Sequence, residues 1–300
     1  MKHTGENDVQ AIGPRFLGKL LLFVFVVLLH APVCASEEHN ASERLLTIWS
    51  GMLPIIIAAP HGGRMPIPGV SIRRGIGVAQ FTSRRDGNTA ELVEAVGVKI
   101  SERLVAKPFL VIARFERKYV DANRPEAGAY ESPSAKPYYD DYHQALQSAA
   151  SEVRVRWGGG ILLDIHGQSA ERDAIFCGTD NGKSVVAMRD KHGRGAFTGP
   201  RSILGQLALK GYRILPDVGR NEPERRYTGG YTTRTYGSHR GTRIDAIQLE
   251  LGTNLRTRGN LERTADDLAE AIATFARAFL SVNGSAASPS FKNGNEIATP

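Results

Sequence analysis

The sequence predicts an α/β fold: a single three-layer α/β/α domain on a mixed, mostly parallel sheet. Two observations carry this. Strand-like apolar runs alternate with segments of helical periodicity along most of the chain. Several of those runs are continuous rather than alternating in hydrophobicity, as strands covered on both faces are. The 300 residues are 41% hydrophobic, with 32 Gly and 15 Pro, enough for one sizeable core.

The elements follow in order. "RLLTIWSGMLPIIIAAPHGGR" reads as two short strands, the second ending in a Gly-containing turn. "NTAELVEAVGVKISERL", from Asn88 to Leu104, puts Leu92, Val96 and Ile100 on one helical stripe. "PFLVIARFERKYVDANRP" is strand-like, residues 126–136 read as loop, and "YYDDYHQALQSAASEVR" as helix. "GGGILLDIHG" is a strand bounded by glycines, "RSILGQLALKGYRI" is helix-like and "DAIQLELG" is a strand. "ERTADDLAEAIATFARAFLSV" closes the domain as an amphipathic helix.

The domain is expected over residues 44–282, after a polar linker at 36–43. Before it, Leu20–Leu29 ("LLLFVFVVLL") is an unbroken apolar run of ten behind Arg15 and Lys19. Ten residues are too few to cross about 30 Å of hydrocarbon. Val33-Cys34-Ala35 offers small residues for cleavage, so residues 1–35 read as an export signal, with an uncleaved anchor as the alternative. The expected location is secreted or periplasmic, with no stable membrane insertion after cleavage. Residues 283–300, rich in Ser, Gly, Asn and Pro, are expected to be disordered.

Cleavage removes Cys34 and leaves Cys177 alone, so the mature chain has no internal disulfide. The formal charge of +7 falls to +6 without the first 35 residues. That excess carries no Lys/Arg block with interleaved aromatics, which argues against nucleic acid and fits attraction of anionic substrates.

In mostly parallel sheets the site lies beyond the carboxyl ends of the strands. "PIIIAAP" runs into His61, "ILLDI" into His166 and "AIQL" into Glu250. A lone strand-end histidine is commonly a hydrogen-bonded structural residue. Two of them, each followed by Gly, suggest ligands that backbone and substrate approach closely. A hydrolytic zinc takes three protein ligands and keeps one open position. Asp86, just before a helix, is a third candidate, and a helix-capping aspartate is the alternative. Asp164 is the other candidate; it shares a strand face with His166 and suits a hydrogen bond to a ligating imidazole. Glu250, between two leucines on a buried strand, is either ion-paired to an arginine or a general base with a raised pKa. "RFERKYVDANRP" carries Arg117, Asn123 and Arg124, a set suited to a carboxylate or an oxyanion, or else an ordinary polar loop. "GGYTTRTYGSHRG" (229–241) looks like a mobile flap, with Tyr231 or His239 able to contact substrate.

Together, "PHGG" at Pro60, "RRDGNTAELV" at Arg84, "RKYVDANRP" at Arg117, "LLDIHGQS" at Leu162 and "GGYTTRTYGSHRGTRIDAIQLELG" at Gly229 resemble the N-formylglutamate amidohydrolase family. That family is a branch of the zinc carboxypeptidase-like and aspartoacylase-like hydrolases. The resemblance spans about residues 54–252. It implies the corresponding phosphorylase/hydrolase-like fold, one Zn2+ per chain, and hydrolysis of an amide-linked acyl group on a small anionic acyl-amino acid or peptide. His61, Asp86 and His166 match the metal ligands and Glu250 the general base. Arg117 matches the oxyanion-side arginine, and Asn123 with Arg124 the pair that clamps a substrate carboxylate. Two features depart from the pattern. Arg64 stands where a His-x-x-Glu ligand pair would place Glu, and the export signal does not suit formylglutamate, an intermediate of cytoplasmic histidine breakdown. A peptidoglycan or peptide hydrolase with the same site, or a non-catalytic exported binding protein of the same fold, are the alternatives.

Overall fold

The computed structural model describes residues 45–217, 219–220 and 222–282. The expected export signal at 1–35, the expected linker at 36–43 and the tail at 283–300 lie outside the described residues. In chain order the elements are β1 Leu46–Trp49, β2 Ile55–Ala59, α1 Thr89–Leu104, β3 Phe109–Ala113, α2 Glu126–Ala129, α3 Lys136–Trp157, β4 Gly160–Gln168 and β5 Ala174–Gly178. They continue with α4 Val186–His192, α5 Gly195–Thr198, α6 Ile203–Leu209, β6 Arg213–Leu215, α7 Tyr231–Tyr236, β7 Ile244–Gly252 and α8 Arg258–Phe279.

The strands form one sheet in the order β1-β3-β2-β4-β7-β5-β6. β3–β2, β2–β4, β4–β7 and β5–β6 are parallel; β1–β3 and β5–β7 are antiparallel. Helices cover both faces. On one, Ile55, Ile57, Leu163, Ile165, Leu249 and Leu251 pack with α1, α6 and α8. On the other, Ile56, Ala58, Leu162, Ile244 and Ala246 pack with α3 and Tyr236 of α7. Alternate residues of each strand thus feed two separate cores, which explains the continuous apolar runs.

Local chemistry sets the element ends. Pro137 lies in the first turn of α3, where its missing N–H costs nothing, and Gly158 closes the helix in the left-handed conformation. Leu92, Val96 and Ile100 are buried as the stripe predicts.

Three local expectations are corrected. The 126–136 stretch contains α2 and a 3-10 turn at Pro133–Ala135. "RSILGQLALKGYRI" is helical only to Leu209, and beyond Gly211 residues 213–215 join the sheet as β6. β5 was not foreseen; "AIFCG" is too short to show a period, and only pairing with β6 and β7 makes it a strand.

The strand order places the site. From β2 the chain passes to β3 on one side, then returns to β4 on the other. The crevice at this reversal is where such sheets bind ligands. His61 follows β2, and His166 lies in β4.

Candidate metal centre

His166 is not at the end of its strand. It sits inside β4, with its Cα opposite Glu250 of β7, and Asp164 lies opposite Gln248. Paired residues share a face, so four polar side chains occupy the carboxyl half of one β4–β7 face.

His61 Nδ1 lies 3.1 Å from His166 Nδ1. Asp86 Oδ2 lies 3.2 Å from His166 Nδ1 and 3.5 Å from His61 Nδ1. All three residues are buried. Tetrahedral zinc holds N and O ligands at about 2.0–2.1 Å, which separates them by about 3.3 Å. The triangle has that size, and its two imidazoles and carboxylate suit zinc.

The far nitrogens of both rings are held by carboxylates. His61 Nε2 is 2.7 Å from Asp121 Oδ1, and His166 Nε2 is 2.9 Å from Asp164 Oδ2. With Nε2–H donating outward, each Nδ1 lone pair points into the triangle. Such carboxylate–imidazole pairs fix the tautomer and orientation of metal-binding histidines.

Asp86 does not cap α1. Asn88 is the residue at the cap, with no side-chain capping bond. The Asp86 carboxylate instead accepts the N–H of Gly167 at 3.1 Å, and its own N–H donates to His61 O at 3.0 Å. Arg117 donates from Nε to Asp121 Oδ2 at 3.0 Å, and its Nη1 stands 3.6 Å from Asp86 Oδ1. Glu250 makes no ion pair among the described residues; its Oε1 accepts from Gln248 Nε2 at 2.9 Å.

The expected Asn123–Arg124 clamp is not assembled as one fork. Asn123 is buried, with Oδ1 accepting from Thr232 N at 2.8 Å and Nδ2 lying 3.0 Å from His166 Nε2. Arg124 does not join it: its Nη2 donates to Gln80 O at 2.9 Å, and its Nε stands 3.7 Å from Asp121 Oδ2. Nor is 229–241 a loose flap: it forms α7 and a 3-10 turn, with Thr232 and Thr233 fully buried. Buried threonines at its centre, not its Gly content, decide its order. Arg64 is exposed on α1's flank, bonded to Asn88 and ion-paired with Glu91.

The family model described as N-formylglutamate amidohydrolase matches residues 133–255. Over this segment the chain is similar to the N-formylglutamate amidohydrolase family. The match takes in His166 and Glu250, while His61, Asp86, Arg117 and Asn123 precede it. Two solved structures share the fold. An N-formylglutamate amidohydrolase from Ralstonia eutropha JMP134 superposes with a TM-score of 0.53 at 18% identity, covering 78% of this chain and 98% of its own. A gene product from Agrobacterium tumefaciens gives 0.52 at 15% identity, covering 80% and 97%. No curated protein matches the sequence. The similarity over residues 133–255 supports hydrolysis of an amide bond as the coarse activity.

The electrostatics of the site divide its acids into two kinds. Burial alone would raise Asp86, but hydrogen bonds and charge from His166 and His61 hold it well below the usual carboxylate range. Asp121 is likewise depressed, against burial, by His61, Arg117 and Arg73. Glu250 goes the other way: burial dominates and raises it, with Asp86 adding to the rise. Burial would lower His166, yet Asp164 above all, then Asp86, holds it well above the ordinary imidazole value. The site thus has two committed anions and one acid that readily accepts a proton.

Sequence reasoning missed three residues here. Asp121, two before Asn123, carries no signal of its own. Gln248 had one, since it shares a strand face with Glu250. Arg256 had none. The glycines after the histidines also have another purpose than expected. A Cβ on Gly62 would lie 2.4 Å from Ala90 N, and one on Gly167 would lie 2.4 Å from Arg256 Cζ. They admit α1 and a guanidinium, not substrate.

Proposed function

We propose that the chain is an exported zinc-dependent amidohydrolase of a small anionic N-acyl amino acid or related amide. The carrying observation is the buried His61–Asp86–His166 triangle, with each imidazole backed by a carboxylate and a proton-accepting Glu250 across the β4–β7 ladder. His61 Nδ1, His166 Nδ1 and Asp86 would hold the ion. When bound, zinc supplies a Lewis acid for the scissile carbonyl and lowers the pKa of water.

The chain's own residues supply the rest. Gln248 occupies Oε1 of Glu250, and Oε2, free of hydrogen bonds among the described residues, takes the proton from the attacking water. Its raised pKa makes the acid form it then carries a competent donor to the leaving amine. Arg117, fixed between Asp121 and Asp86, offers positive charge to the developing oxyanion. Arg124, partly exposed, offers a guanidinium to a substrate carboxylate. Asn123 contributes by joining Gln248 to the start of α7 rather than by touching substrate. The export part rests on residues 1–35, and N-terminal sequencing of protein recovered from the culture fluid or periplasm tests it.

Glu250→Gln tests the mechanism. Zinc stoichiometry should stay at one per chain while turnover falls by about 10²–10⁴-fold. Retained turnover ends the role of Glu250. A screen of N-acyl amino acids, peptides and muropeptides with the wild type identifies the amide.

A further inference from the structure

Arg256 stands in the 3-10 turn Asn254–Arg256 between β7 and α8 and is buried. It forms no ion pair among the described residues. Its guanidinium instead donates to three main-chain carbonyls: Nε to Leu251 O at 3.1 Å, Nη2 to Gln168 O at 3.3 Å, and Nη1 to Gly87 O. Leu251 follows Glu250, Gln168 is two residues past His166, and Gly87 follows Asp86. One planar group therefore fastens three segments, each bearing a different residue of the site.

Two further observations show that the chain accommodates this group. Asn88 Nδ2 donates to Arg256 O at 2.7 Å, so the Asp86 loop is tied to residue 256 in both directions. Gly167 lacks the Cβ that would otherwise stand 2.4 Å from Cζ. Burying an unpaired guanidinium is costly. Asp86 and Glu250 lie near enough for their charge to offset part of that cost. Arginine suits the position because its donors form a rigid fork, whereas a lysine ammonium is a point charge on a flexible stem.

The geometry points to Arg256 as the positioning residue of the metal centre, holding the Asp86 loop at its distance from His166 and Glu250 through Gly87 O, Gln168 O and Leu251 O. This rests on the zinc reading above. His61 depends on it least, since its own ring is held by Asp121. The substrate contact at Arg124, which is tied to Asp121 and Gln80, is likewise outside its reach, so its loss should fall on metal affinity and kcat rather than KM.

The test measures zinc affinity by chelator competition on metal-stripped full-length mature protein, with its melting temperature recorded alongside. Arg256→Met should weaken zinc by about 10–100-fold, the usual loss when a ligand's supporting partner is removed. Arg256→Lys should recover part of the loss, and Asn88→Ala should weaken zinc more mildly. Should the methionine variant fail to fold, the Lys and Ala variants carry the same comparison. Wild-type zinc affinity in all folded variants, with only the metal-free melting temperature lowered, makes Arg256 a purely structural residue and overturns the inference. His166→Ala tells the two readings apart. If it binds zinc as the wild type does, the metal site itself is wrong and both fall. If it loses zinc while the Arg256 variants keep it, only the Arg256 assignment falls.

Discussion

The two faces of the β4–β7 ladder share one backbone and differ in almost everything else. One face presents Leu163 and Ile165 beside Ile247, Leu249 and Leu251, all buried in the core under α1, α6 and α8. The other begins apolar, with Leu162, Ile244 and Ala246, and halfway along becomes Asp164, His166, Gln248 and Glu250. Because side chains alternate in a strand, a single register serves both faces, and neither can slip without moving the other. The apolar face provides the free energy that a buried cluster of charged and polar groups consumes. Cutting into each face in turn tests that division.

The largest effect should come from the apolar face. Leu249→Ala removes a fully buried side chain from the centre of the ladder and should cost about 2–5 kcal/mol of stability. Denaturant unfolding measures it, and turnover per folded molecule should stay near wild type. A large loss of turnover in protein still fully folded would show that the faces are not separable.

The apolar face also carries an acid, at its other end. Asp245 pairs in register with Ile161 and accepts a hydrogen bond from Ser238 at 2.7 Å. Burial, opposed by that bond, pushes its carboxyl from 3.8 up to about 6. The folded state therefore holds this proton more tightly than the unfolded chain does. The resulting stability is complete below about pH 4 and is lost as pH rises through about 6. Asp245→Asn cannot titrate, so the variant should gain on the wild type across that window, by at most about 3 kcal/mol. Unfolding curves at successive pH values give the difference, and a flat one would show that Asp245 is solvated in the native state.

What was legible in the sequence divides along the same line. His61, His166 and Glu250 were legible because each interrupts or ends an apolar run, where a titratable group needs a reason; Asp86 stood out only by its place before a helix and by the family resemblance. The parallel sheet was legible for a related reason: runs such as "PIIIAAP" have no polar face. Asp121 and Arg256 were not, because an aspartate in "YVDAN" or an arginine in "TNLRTRG" looks like ordinary loop polarity until burial is known. Gln248 lies between: the reasoning that put Asp164 on His166's face applies equally to Gln248 and Glu250. Residues 229–241 misled through composition, since Gly and Thr suggest mobility but two of the threonines are core.

Asp164 gives the finest test, because its structural and functional roles predict opposite signs. Its Oδ2 faces His166 Nε2 at 2.9 Å, while its Oδ1 is buried with no hydrogen-bond partner among the described residues. A half-satisfied buried carboxylate is a poor stabilising device. Asp164→Asn keeps the shape and removes the charge. If the carboxylate exists to orient His166 and make it a better ligand, the metal-free variant should be as stable as the wild type or more so. Its zinc affinity should fall by about 10–100-fold at slightly alkaline pH. If Asp164 is simply part of the core, stability should fall and zinc affinity should not. Chelator competition and metal-free unfolding on the same preparation separate the two. Lower stability with unchanged zinc affinity would move Asp164 back to the face of the ladder that only folds.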